Sequence, residues 1–209
     1  MAGGFVLTHC ERLGTERATP WGNAVPLGLT GYCLACLLFG LTNLGFVESK
    51  NIAFLSIACI AIAIVLFTGG LITLRNGNTL DGCMLAAFGM LFVFGPALET
   101  WAAAVGLIEL PLVVLGAWNL LLAAFMTIWG IPLSRAPIFA FAISPIMIVA
   151  LTLMGLSMIL ESSTLSTIAG WVFLIPGLGW GLYAMAVNLS AVMGIELPVG
   201  SPLIKETEK

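Results

Sequence analysis

Charged side chains are scarce in this chain, where they make up 8% of the 209 residues. A soluble domain carries roughly 25%, so the chain lacks the polar surface that a protein in water presents. Its seven basic and ten acidic side chains give a net charge of −3 with no basic block, so no nucleic-acid partner is expected. The chain is 60% hydrophobic with a mean hydropathy of +1.13, which predicts an all-α integral membrane protein.

Groups that carry chemistry are also missing from the apolar stretches. They contain no histidine, lysine or arginine, no cluster of metal ligands, no nucleotide-binding loop and no Ser-His-Asp set. The residues that catalysis, haem ligation, ATP-driven pumping and voltage sensing require are absent from these stretches. We therefore expect neither an enzyme nor a bound cofactor or metal. Five cysteines are an odd number, and Cys33-x-x-Cys36 lies inside an apolar stretch, so this pair is interpreted as packing.

Six apolar stretches are each long enough to cross the hydrocarbon core, which takes about 20 residues in a helix. The connections are short, so neighbouring helices should be antiparallel, and no second domain is expected. We predict an N-terminal segment over 1–25, a six-helix transmembrane domain over 26–195 and a C-terminal tail over 196–209. The predicted spans are 26–47, 52–74, 80–108, 112–133, 137–160 and 167–193.

The positive side chains predict the orientation. With six spans, both termini share a face with the second and fourth loops, and we expect that face of a plasma-membrane protein to be cytoplasmic. The first 25 residues contain charges and no long apolar core, so they are not expected to be a signal peptide. The opposite face carries only Lys50, whereas the terminal one carries Arg12, Arg17, Arg75, Arg135, Lys205 and Lys209.

Polar residues mark the helix ends and a few positions within the spans. Between the second and third spans, Gly77 suits a left-handed helix end, and Asn78 or Thr79 suits an N-cap with Asp81 in the first turn. A tight turn explains this segment, although a functional role stays open. Inside or at the ends of spans, the candidate polar residues are Asn43, Asn119 and Glu99. The asparagines could form interhelical hydrogen bonds, and Glu99 could be a solvated carboxylate at the membrane interface; alternatively, each could line a pore.

The first span opens on Asn23-Ala-Val-Pro-Leu-Gly-Leu29, with an amide, a proline and a glycine. Asn23 can cap the helix, and Pro26 lacks an N–H that the first turn would leave unpaired. Gly28 and Gly31 lie on one face and allow a backbone or a solute to come close. The free N–H groups of this helix start favour an anion.

Further motifs follow in order along nearly the whole chain. The opening segment keeps five of the seven positions of an Asn-Pro-Ala-Pro-Leu-Gly-Leu signature, and together the motifs resemble the acetate uptake transporter family, also called the succinate–acetate permeases. The other motifs are Gly31-Tyr32, Asn43-Leu-Gly-Phe46, the turn from Gly69 to Thr79, Phe88-Gly89, Ala169-Gly-Trp171, Tyr183 and Leu197-Pro-x-Gly200.

This resemblance implies a six-helix bundle with a pore in each protomer, assembled as a hexamer, that carries acetate, other small monocarboxylates and succinate. It implies a constriction formed by Tyr32 and Phe88; the family's third constriction residue, a leucine, has no counterpart near 144–146. The signature residues Asn23, Pro26, Leu27 and Gly28 would form the pore mouth.

A narrow apolar ring disfavours a hydrated anion more than a neutral acid. We therefore expect transport to be favoured by acid, either through the protonated acid or through coupling of protons to the anion. Two other readings stay open from the sequence. One is a channel for a neutral solute such as urea, ammonia or water, and the other is a membrane scaffold or sensor subunit without transport.

Overall fold

The computed structural model describes residues 21–204, and in this range the chain forms six long helices and no β-strand. All six are long and apolar enough to cross a membrane, which confirms the predicted fold class. Four basic residues used for the orientation, Arg12, Arg17, Lys205 and Lys209, lie outside the described residues. The helices are α1 (Val25–Asn43), α2 (Ile52–Arg75), α3 (Thr79–Ala104), α4 (Leu112–Leu133), α5 (Ile138–Ile159) and α6 (Ser163–Met193).

The predicted spans agree with these helices to within a few residues, and the ends that differ have local causes. The first helix ends at Asn43 rather than at 47, because Gly45 takes a φ of +78° that stops a right-handed helix. The last helix begins at Ser163 rather than at 167, because the Ser162 hydroxyl accepts the backbone N–H of Leu165 at 3.3 Å.

Both ends of the described chain lie on the same face of the bundle. The Trp21 backbone N–H donates to Asn76 Oδ1 at 3.1 Å, and the Arg75 guanidinium lies 4.4 Å from the centre of the Trp21 ring. At the other end, the Leu203 backbone N–H donates to the Ser134 carbonyl at 3.1 Å. These contacts tie the two ends to the α2–α3 and α4–α5 turns, and we call this side the terminal face.

Glycines allow three pairs of helices to approach at backbone distance. In each pair, a Cβ atom built on one glycine would lie 2.7–3.0 Å from the carbonyl oxygen of the other. Such contacts favour helix association in lipid, where apolar burial alone gives little drive. The pairs are Gly70–Gly82 between α2 and α3, Gly116–Gly155 between α4 and α5, and Gly40–Gly170 between α1 and α6.

Gly116→Ala should lower the free energy of unfolding by about 1–3 kcal/mol, because its Cβ would press on the Gly155 backbone, which cannot turn aside. Gly130 lies on the same helix with no atom within 4 Å of a built Cβ, so Gly130→Ala should leave stability unchanged or slightly raised. Thermal unfolding of both variants in detergent provides the comparison. Equal melting temperatures would mean that α4 and α5 do not touch closely at Gly116.

Candidate solute pathway

The two aromatic residues marked by the sequence, Tyr32 and Phe88, meet inside the bundle. Tyr32 extends from α1 and is 2% exposed, and its hydroxyl donates to the Met84 carbonyl of α3 at 3.3 Å. The ring of Phe88, on α3, lies 5.7 Å from the ring of Tyr32 between centroids. Rings at such a distance attract each other beyond the gain from burial, so this pair closes the space between the two helices.

A tryptophan of α6 completes the contact, and sequence reasoning did not single it out. Trp180 stacks on Tyr32 at 5.9 Å between ring centroids and is itself buried. Phe92, one turn beyond Phe88, continues the cluster at 5.9 Å. The signal in the sequence is a large ring among glycines, in Gly-Leu-Gly-Trp-Gly over 177–181. We call Tyr32, Phe88, Phe92 and Trp180 the aromatic closure.

A π-helical segment, Gly89–Phe94, interrupts α3 inside this cluster. Its cause is Pro96, whose ring in an α-helical register would collide with the carbonyl four residues earlier. The wider register avoids that collision, and it ends where the Gly95 N–H bonds to the Met90 carbonyl, five residues back. Such π segments are frequent at functional sites, and this one carries Phe92 of the aromatic closure.

The same register leaves one carbonyl without a partner on its own helix. Leu91 would accept from the residue five positions later, which is Pro96 and has no N–H. The Trp118 indole of α4 takes this place and donates to the Leu91 carbonyl at 2.7 Å. Lipid supplies no alternative donor, so this bond holds α4 against the π segment.

Trp118→Phe should cost about 1 kcal/mol of stability, because the Leu91 carbonyl would lose its donor where water cannot replace it. Trp171→Phe is the matched control: Trp171 is 59% exposed, and its indole makes no hydrogen bond within residues 21–204. Melting temperatures in one detergent compare the two variants. If the two substitutions lower stability equally, the Trp118 hydrogen bond contributes nothing specific.

A cavity of about 250 Å³ extends from the terminal face to the aromatic closure, where Trp180 lines it. Two neighbouring cavities, of about 520 and 240 Å³, adjoin it. The larger one shares Pro137 and Tyr183 with it, and the smaller one shares Val25 and Asn78. We call the three cavities together the vestibule; helices α1, α3, α5 and α6 all contribute to its walls.

Charged groups line the vestibule near its mouth. Asn78 Nδ2 donates to Asp81 Oδ2 at 2.6 Å, while Asn78 Oδ1 accepts the Asp81 backbone N–H at 3.2 Å. Asn78 therefore caps α3 with Asp81 in its first turn, as the sequence predicted, and Thr79 is the exposed first residue of the helix. Arg135 also lines the cavity and makes no ion pair within residues 21–204, and Glu196 lines the larger neighbouring cavity.

The signature at the start of α1 is divided between the vestibule and helix packing. Asn23 lines the vestibule, and its Oδ1 accepts the backbone N–H two residues later at 3.1 Å; Pro26 lies in the first turn. Gly28 is buried against Leu85, whose Cδ1 would lie 2.5 Å from a built Cβ, so it serves a helix contact. Leu27 is 48% exposed, which places it on the outer surface and not at the vestibule.

The two candidate asparagines within the helices use their amides in packing contacts. Asn43 Oδ1 accepts the Ser166 hydroxyl at 2.8 Å, which joins α1 to α6. Asn119 is buried, and its Nδ2 donates to the Leu115 carbonyl of its own helix and lies 3.8 Å from Met158 Sδ on α5. Neither amide lines the vestibule, and both fit the interhelical interpretation.

Glu99 differs from a simple solvated carboxylate. The residue is half-buried, and its Oε2 is buried without a hydrogen-bond partner among residues 21–204. It lies in the half of α3 beyond the π segment, on the opposite side of the aromatic closure from the vestibule. The structure therefore does not bring Glu99 together with the other candidate residues.

The fold and these cavities define a membrane bundle with one internal vestibule that ends on packed aromatic rings. Within the described range, no three side chains of histidine, cysteine, aspartate or glutamate come together as a metal site. The polar groups that line the vestibule are amides, hydroxyls, the carboxylates of Asp81 and Glu196 and the guanidinium of Arg135, next to aromatic rings.

Comparison with known proteins supports this architecture. No protein-family model matches the chain, and no curated protein matches it significantly in sequence. The solved structure of the bacterial acetate channel SatP matches with a TM-score of 0.77, over 86% of this chain and 99% of that chain, at 22% sequence identity. The chain therefore has the fold of this channel, as the motif resemblance implied.

Proposed function

We propose that this chain is a membrane channel or transporter for acetate and other small monocarboxylates, with succinate as a further substrate. The observation that carries the proposal is the meeting of Tyr32 and Phe88 beside Trp180, which lines the inner end of the vestibule, in the fold of an acetate channel. These are the two residues that the family resemblance marks as constriction residues. Trp180 stacks on Tyr32 next to this pair, whereas the sequence has no leucine near 144–146, the place of the family's third constriction residue.

The chemistry of the vestibule suits a small carboxylic acid. An unpaired carboxylate in hydrocarbon costs many kcal/mol, and a polar cavity reduces that cost before the solute reaches the narrowest point. The guanidinium of Arg135 and the amides of Asn23 and Asn78 offer donors to a carboxylate. The aromatic faces beyond them suit the methyl group and exclude large or fully hydrated solutes.

The same proposal includes the orientation of the protein in the membrane and its oligomeric state. The terminal face, which carries Arg75 and Arg135 within the described range, would face the cytoplasm of a plasma-membrane protein. The bundle would form a homo-oligomer, a hexamer by the family resemblance, with one pathway in each protomer. The aromatic closure would then be the narrowest point of that pathway.

Uptake of labelled acetate into liposomes that contain the purified protein tests this function. We expect uptake above that of empty liposomes and competition by propionate but not by urea. Competition by urea instead would favour the neutral-solute channel, and no uptake by well-folded protein would favour a scaffold.

Tyr32→Ala and Phe88→Ala should each reduce this uptake, because the apolar faces that guide the solute through the constriction are lost. Tyr32→Phe, which keeps the ring, should retain more uptake than Tyr32→Ala. Size-exclusion profiles and melting temperatures identify any variant that fails to fold, so that its flux is not compared. Unchanged uptake in both folded alanine variants would place the constriction elsewhere.

Acid should favour transport. At fixed total acetate and zero membrane voltage, we expect faster protein-dependent uptake at pH 5 than at pH 8. The reason is that the neutral acid, or a proton together with the anion, passes an apolar constriction at lower cost than a hydrated anion. Empty liposomes correct for acetic acid that crosses the lipid itself, and equal corrected rates at the two pH values would contradict the expectation.

A further inference from the structure

The Trp180 indole carries a donor that the described protein does not use. The residue is 2% exposed, and its Nε1 is buried without a hydrogen-bond partner among residues 21–204. Buried polar groups are nearly always paired, and an unpaired one calls for an explanation. Indole can only donate, so the missing partner must be an acceptor.

The ring of Trp180 lies where an acceptor could arrive. It lines the inner end of the vestibule and contacts Tyr183, another lining residue, at 6.2 Å between centroids. The hydroxyl of Tyr32, which also contacts Trp180, is already used, because it donates to the Met84 carbonyl. The indole N–H is therefore the buried, unpaired donor where the vestibule meets the aromatic closure, whereas the Tyr183 hydroxyl beside it is not among the buried unpaired groups.

We propose that Trp180 binds the carboxyl group of the transported solute through its indole N–H. A carboxylate offers only acceptor oxygens, and a hydrogen bond to a charged acceptor is stronger than a neutral one. This inference rests on the proposed function and deepens it, because it names the group that recognises the acid. Arg135 lines the same cavity nearer the mouth, and Trp180 receives the solute at the inner end.

Binding at this residue also affects the constriction. The Trp180 ring lines the cavity while its nitrogen is shielded, so the indole must turn toward the vestibule to donate. Because the same ring stacks on Tyr32 at 5.9 Å, that turn separates two members of the aromatic closure. Recognition of the carboxyl group and opening of the narrowest point are then one movement.

The direct test follows the indole N–H signals of ¹⁵N-tryptophan-labelled protein in detergent, at pH 7, during titration with sodium acetate and, separately, with urea. The chain has six tryptophans, and Trp180→Phe identifies the Trp180 signal by its disappearance. If that variant does not fold, Trp→Phe changes at the other five positions identify it by elimination. We expect the Trp180 signal to shift saturably with acetate and not with urea or with sodium chloride.

The transport readout uses Trp180→Phe, which keeps a ring but removes the donor. The acetate concentration for half-maximal uptake should rise about tenfold, the effect of losing one hydrogen bond to a charged group. Trp171→Phe, on the exposed surface of the same helix, should leave it unchanged.

The outcomes separate the two proposals. Wild-type protein that takes up acetate while its Trp180 signal stays fixed would overturn the role of Trp180 and leave the function intact. Unchanged half-saturation in folded Trp180→Phe would do the same. Absence of acetate uptake by folded wild-type protein would overturn the function, and this inference with it.

Discussion

The need to pair every backbone N–H and carbonyl group without water governs this structure. Six long helices meet most of that need within the apolar stretches, and a break in helical geometry leaves a group that needs another partner. The clearest case is Pro96, which forces the π segment and leaves the Leu91 carbonyl free; the indole of Trp118 then supplies the missing N–H. One proline thereby determines a contact between α3 and α4.

Glycines and aromatic residues have different roles in the packing of the helices. Glycines lie where two helices meet at backbone distance, which brings the helix axes close together. Aromatic rings fill the interior between those contacts, so the aromatic closure is formed by side chains of α1, α3 and α6. Charged groups stay at the mouth of the vestibule, where Asn78 holds Asp81 and Arg135 lines the same cavity. Polarity thus decreases from the terminal face to the narrowest point.

Much of this organisation could be predicted from the sequence, because it depends on local signals. Span lengths follow from apolar runs, and the α2–α3 turn follows from Gly77 and Asn78. Tyr32 and Phe88 came from motif resemblance. Trp180 could not be predicted, since its partners lie on helices that are remote in sequence. For the same reason the glycine signature was ambiguous: only the neighbouring helix shows that Gly28 faces Leu85 and that Leu27 faces outward.

The contact between Gly40 and Gly170 has a consequence for biogenesis. It joins the first helix to the last, so the most distant segments of the transmembrane domain become neighbours. Because chains are synthesised from the N-terminus, α1 enters the bilayer well before its partner exists. The bundle therefore closes, and Tyr32 meets Trp180, only after the final helix has been inserted. Until then, the surface of α1 that will contact α6 is covered by lipid or by other helices.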